Sequence, residues 1–248
     1  MNASIQKAAF AITCIVAILA ISGCNSRMSG RPAAGPLVPR PEQQLDFATL
    51  YKTNCASCHG TNGTHGLAMS LANPAYLAFT GEDSLREITA NGVHGKLMPA
   101  FAKSAGGILT DQQVDALAHG MIVNWGKPQL FPAGVPPSYK STLVGNVSSG
   151  QQQFTKSCGA CHGVDGTGSK NASNGASQVG SIVDPSYLAL VSDQALRSFI
   201  VAGVPDQGMP DWRSYGTEAL TDQQITDIVA WMASQRGDTP GQPYPVQH

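Results

Sequence analysis

The sequence predicts an all-α protein built from two tandem copies of one small helical domain. Three observations predict it. One unit occurs twice: Asn54-Cys-Ala-Ser-Cys-His-Gly60 matches Ser157-Cys-Gly-Ala-Cys-His-Gly163 at an offset of 103. Asn73-Pro-Ala-Tyr-Leu-Ala78, Leu97-Met-Pro-Ala-Phe101 and Leu109-Thr-Asp-Gln-Gln113 match Asp184-Pro-Ser-Tyr-Leu-Ala189, Gly208-Met-Pro-Asp-Trp212 and Leu220-Thr-Asp-Gln-Gln224 at an offset of 111. Each copy also ends in a Thr-x-x-Gln pattern at Thr110 and Thr221, a capping box whose hydroxyl and amide satisfy free backbone donors. Behind it Val114, Leu117 and Met121, like Ile225, Ile228 and Met232, share a helical face. Finally, no run of alternating strand residues interrupts either copy.

In chain order, residues 1–23 read as a signal peptide: Lys7, then the uncharged apolar run Ala8–Ser22. A spanning helix needs about 20 such residues, so this run is short for a permanent span. It ends in Ile21-Ser22-Gly23-Cys24, which resembles the lipobox of bacterial lipoproteins. That resemblance implies that Cys24 becomes the lipid-bearing first residue and that the protein is exported to the periplasm or cell envelope, held to a membrane by acyl chains. An ordinary cleaved signal and an uncleaved anchor are the alternatives. Cys14, inside the run, reads as a small hydrophobe.

Residues 24–44 are rich in proline and glycine and read as an extended tether. Their basic excess (Arg27, Arg31 and Arg40 against Glu42) contrasts with a small acidic excess in each copy. Copy one occupies 45–125, a proline-rich linker 126–148, copy two 149–236 and a tail 237–248. The linker is either a semi-stiff spacer or a strap over a domain surface, because Leu130, Phe131 and Tyr139 are apolar. Helices are expected over Leu45–Ala56, Glu82–Asn91, Ser149–Ala160 and Asp193–Ala202, with the last of each copy starting at Thr110 and Thr221. The change of offset assigns eight extra residues to copy two, in the Gly/Ser/Asn stretch 166–177.

Chemistry concentrates in the repeated Cys-x-x-Cys-His, the attachment signature of c-type haem. Cys55 and Cys58, and Cys158 and Cys161, are spaced to bond two vinyl groups of one haem edge, with His59 and His162 offered to the iron. A lone Cys-x-x-Cys also suits thiol exchange or zinc. The adjacent histidine, the duplication and the export signal favour haem.

With these motifs, both copies resemble class I c-type cytochrome domains. The resemblance covers 45–125 and 149–236. It implies small helical domains, each around one covalently bound haem, with His/Met coordination: His59 and His162 proximal, Met98 and Met209 distal. A thioether, being soft and neutral, favours ferrous iron. Copy one offers His65, His94 and His119 as rivals, but copy two has no histidine counterpart to any of them. Met69, Met121 and Met232 read as core. Pro74 and Pro185 are candidates for the carbonyl that holds the proximal imidazole, and ordinary turns explain them equally well. Tyr76 and Tyr187 either reach a haem propionate or fill the core.

Family domains cross their first and last helices where a glycine meets an aromatic. Copy two supplies Gly150 and Phe154 on the first helix and Trp231 on the last. Copy one has Phe47 at the Gly150 position and Gly120 at the Trp231 position, so small and large exchange helices.

Two six-coordinate haems imply an electron carrier rather than an enzyme, with a redox-protein donor and acceptor and a membrane reached through the lipid anchor. A formal net charge of -1 gives no reason to expect nucleic acid. A dihaem enzyme of peroxidase or sulfur-compound dehydrogenase type, with one open or non-methionine site, is the alternative. A subunit of a larger respiratory or dehydrogenase complex would have the same chemistry.

Overall fold

The computed structural model describes residues 35, 38, 40–127, 129–132, 136–169 and 179–237. Cys14, Cys24, the apolar run and the tail beyond Gly237 lie outside them. Among the described residues there is no strand, only three isolated bridges, and no helix long and apolar enough to cross a membrane.

The first copy holds α1 (Phe47–Asn54), α2 (Ala56–His59), α3 (Pro74–Asn91) and α4 (Asp111–Trp125). The second holds α5 (Val147–Ser157), α6 (Gly159–His162), α7 (Pro185–Leu190), α8 (Asp193–Ala202) and α9 (Asp222–Ser234). Each start has a local cause. Asp46 accepts from the Thr49 amide, Asn146 from Ser149, and Ser192 from Ala195. Both capping boxes form in full at Thr110 and Thr221. Helix α8 has the expected bounds.

Two expectations change. The first helix of each copy is broken: Cys55 and Cys158 act as C-caps, and the motif restarts as a single turn ending at Gly60 or Gly163. In copy one the following loop folds back, and the Ala68 amide bonds to the Cys58 carbonyl, which ends the restarted turn. Ahead of the expected middle helix of copy one, which does begin after the non-helical Gly81 (φ 73°, ψ 161°), stands a second one that was not expected: Asn73 caps it and Pro74 sits at its first position.

The core of copy one gathers Leu50, Leu77, Leu85, Val114, Leu117 and Met121, and that of copy two Phe154, Leu196, Val201, Ile225, Ile228 and Met232. Met121 and Met232 are therefore core residues, while Met69 is half-buried and packs against the core. Gly120 lies under the Phe47 ring: a Cβ there would stand 2.2 Å from Phe47 Cδ2. At Gly150 a Cβ would stand 1.9 Å from the Asp227 carbonyl oxygen and 2.9 Å from Trp231 Cβ. The exchange of small and large residues between helices is thus present in the packing.

The linker is a strap rather than a free spacer. Phe131 is buried against Trp212 (4.8 Å between rings), and Tyr139 meets Phe79 of the first copy at 5.4 Å. Buried Arg197 donates to the Ser138 and Tyr139 carbonyls and pairs with Asp222 at 2.5 Å.

Candidate haem sites

Each candidate site draws on two segments that the sequence singles out, the turn at the end of the first helix and a loop after the middle helix. The four motif cysteines are free, and Cys58 and Cys161 are exposed. Burial, with the neighbouring thiol adding to it, pushes Cys55 up to about 11 and Cys158 up to about 12. That is the opposite of the lowered thiol pKa that disulfide exchange exploits. Among the described residues no group of three His, Cys, Asp or Glu could hold a bare metal ion.

His59 Nδ1 lies 2.7 Å from the Met69 carbonyl oxygen. Burial lowers its pKa, with the Met69 bond opposing. A neutral ring donating from Nδ1 leaves the Nε2 lone pair free for iron, with its orientation fixed by a backbone partner. The partner is Met69 and not Pro74, which opens α3. His162 is likewise lowered by burial, and its buried Nδ1 has no partner among the described residues. Pro185, the other candidate carbonyl, opens α7 and makes no such bond.

The methionine loops of the two copies share one closing bond. The Val93 amide bonds to the Met98 carbonyl at 2.9 Å, and the Val204 amide to the Met209 carbonyl at 2.9 Å. Each loop leaves its helix at a glycine with positive φ, Gly92 (66°) and Gly203 (67°). A Cβ on Gly92 would stand 2.7 Å from the Met98 carbonyl oxygen, and one on Gly203 2.6 Å from that of Met209. Only glycine permits both the conformation and the approach. These two glycines close the loops and were missed by motif reading, although Gly-Val recurs at the 111 offset. Met98 and Met209 are both half-buried in the loops so formed.

The rival histidines are exposed. His119 meets Glu82 at 3.2 Å, and His65 Nδ1 meets Thr64 Oγ1 at 3.0 Å. Tyr76 is buried, pushed up to about 12 by burial, and Tyr187 is half-buried against the core, so both fill core space. Tyr215 was not foreseen. Its hydroxyl donates to the Pro210 carbonyl at 2.7 Å, and burial, then the Cys158 thiol, raises its pKa. Its repeat position in copy one is Ser104, so no repeat match could find it.

These residues fit a haem in each copy: two unpaired thiols, an oriented or buried imidazole nitrogen, and a thioether on a glycine-hinged loop. Comparison with known proteins agrees. Residues 147–236 match the family model described as Cytochrome c, and residues 42–119 the one described as Cytochrome C oxidase, cbb3-type, subunit III. Over 202 residues the chain is 27% identical to the cbb3-type cytochrome c oxidase subunit FixPc of Rhizobium leguminosarum bv. viciae, covering 77% of this chain and 61% of that protein. Over 97 residues it is 31% identical to cytochrome c55X of Stutzerimonas stutzeri, covering 39% of this chain and 81% of that protein. A chain of the Kuenenia stuttgartiensis reducing HAO-like protein complex aligns with a TM-score of 0.43 at 16% identity, over 77% of this chain and 96% of that one. The chain thus spans about six-tenths of the length of the FixPc relative.

Proposed function

The chain belongs to the cytochrome c family, and from that premise we propose that it is a membrane-anchored dihaem electron carrier working outside the cytoplasm, not itself an enzyme. Its two cytochrome c domains each bind one c-type haem covalently, which supplies a one-electron couple between ferrous and ferric iron. Cys55 and Cys58, and Cys158 and Cys161, fit the attachment motif.

In this reading His59 and His162 bind iron through Nε2, and Met98 and Met209 through their thioethers. One observation carries it: both methionine loops are closed by the same backbone bond beneath the same positive-φ glycine. Two copies of such a loop supply two complete His/Met pairs and leave no position open to substrate. Cys24 carries the lipid that holds the domains at a membrane. The donor and acceptor are redox proteins. The likeness to a cbb3-type oxidase subunit makes such an oxidase the first acceptor to test, with this chain as its subunit or its donor.

The test mixes the reduced, matured protein anaerobically with an oxidised cbb3-type oxidase. Both haems are expected to be oxidised by the partner, and a Cys24→Ser variant is expected to leave the membrane fraction. Steady turnover of hydrogen peroxide or a sulfur oxyanion by the protein alone would overturn the carrier reading in favour of a dihaem enzyme.

A further inference from the structure

The two domains meet along a short seam between the histidine-bearing loop of the first and the methionine-bearing loop of the second. Asn73 is buried there. Its Nδ2 donates to the Ala202 carbonyl at 3.1 Å and the Gly203 carbonyl at 3.2 Å, while its Oδ1 caps α3 by accepting from the Ala75 amide at 2.9 Å. Three residues earlier, Ser70 Oγ donates to Asp206 Oδ2 at 3.0 Å, and the same oxygen accepts the His65 amide at 3.4 Å.

Both sides of this seam run straight to an iron-ligand candidate. Ser70 follows Met69, whose carbonyl holds His59. Ala202 and Gly203 are the end of α8 and the hinge from which the Met209 loop departs, and Asp206 lies in the turn Pro205–Gln207 at that loop's tip. The first domain therefore grips the second domain's methionine loop at its base, through Asn73, and at its tip, through Ser70.

The repeat position holds a different residue. The position equivalent to Asn73 is Asp184, which caps α7 through the Ser186 and Tyr187 amides. Asparagine and aspartate cap equally well. Only asparagine can cap with its oxygen and still donate to two carbonyls of another domain. Aspartate at 73 would set a carboxylate against those carbonyls.

We propose that Asn73, with Ser70, is a positioning residue for the second haem: docked on the first domain, it clamps the Met209 loop and keeps that methionine on its iron. This rests on reading the protein as a dihaem carrier with His/Met ligation. Losing the Asn73 pair of hydrogen bonds frees the loop, so the methionine becomes easier to displace, by about tenfold in apparent competitor affinity.

The test is an imidazole titration of the oxidised holoprotein, following the near-infrared methionine band. It is carried out in a Met98→His background, so that only the second haem is open to displacement. Asn73→Asp is expected to raise the apparent imidazole affinity of the second haem about tenfold. Asn73→Ser, which keeps a cap but loses the amide donors without adding charge, raises it less, and Asp184→Asn leaves it unchanged. Asn73→Asp in a Met209→His background keeps the α3 cap and leaves imidazole binding at the first haem unchanged, whereas a general loosening of the first domain would raise it. Displacement of Met209 unchanged in both Asn73 variants would overturn the clamp alone. A second haem that binds imidazole in the unaltered protein with no methionine to displace would overturn the carrier reading and the clamp with it.

Discussion

The two domains present one set of ligand loops on differently built scaffolds. In the second, the glycine is Gly150 on α5, and the bulk is Trp231 on α9, tilted against the Phe154 ring at 4.4 Å. In the first, the glycine is Gly120 on α4, and the bulk is Phe47 on α1, packed against Tyr51 at 5.8 Å and Trp125 at 5.2 Å. The repeated arginine differs too. Arg86 is 37% exposed among Glu82, Asp83 and Asp115, whereas Arg197, 5% exposed, lies under the linker strap. The methionine loops, by contrast, keep the same closing bond and the same glycine. Packing needs a total volume and satisfied polar groups, which several arrangements supply. The ligand loops keep the bond that closes them and the glycine they leave from.

The largest expected effect separates the two arginines. Arg197→Met removes the partner of Asp222 and of two linker carbonyls, and is expected to cost about 3 kcal/mol in denaturant unfolding followed at the second haem. Arg86→Met, in its screened cluster, is expected to cost less than about 1 kcal/mol at the first haem. Equal costs would mean that burial of Arg197 under the strap does not matter to stability.

The packing exchange comes next. Gly120→Trp is expected to destabilise the first domain by about 1–3 kcal/mol through overpacking against Phe47. Adding Phe47→Gly restores the second domain's order of sizes, so the pair is expected to cost less than the sum of the two changes. Unchanged thermal stability in Gly120→Trp alone would contradict the exchange.

The smallest effect is a pH dependence confined to one domain. Bonds from Thr49 hold the Asp46 carboxyl below its ordinary value of 3.8. A carboxyl lowered on folding stabilises above the ordinary value, and that contribution is lost as pH falls through the lowered one. The corresponding cap of α5 is the neutral Asn146. Amide exchange at Thr49 is therefore expected to quicken relative to Ser149 on acidification, after correction for intrinsic rates. Asp46→Asn is expected to remove the difference.

Much of the site was legible because it is local. Two thiols and a histidine in five residues, a Met-Pro pair found twice and a Thr-x-x-Gln box each announce their own geometry. Asn73-Pro74 was legible as well, as a cap followed by a first-turn proline, and reading it only as a turn hid the first half of α3. The breaks at Cys55 and Cys158 were harder, since a cysteine carries no helix-stop signal of its own. The Met69 carbonyl is a backbone atom with no residue signature. The Asn73 seam joins positions far apart in sequence, so nothing near residue 73 points to residues 202 and 203.

The most direct measurement is electron paramagnetic resonance of the oxidised, matured protein, with near-infrared absorption alongside. The expected result is two low-spin haems with His/Met ligation, one from His59 and Met98 and one from His162 and Met209. A high-spin haem, or one with two histidine ligands, would contradict the carrier reading and direct attention first to the first domain and its His65, His94 and His119.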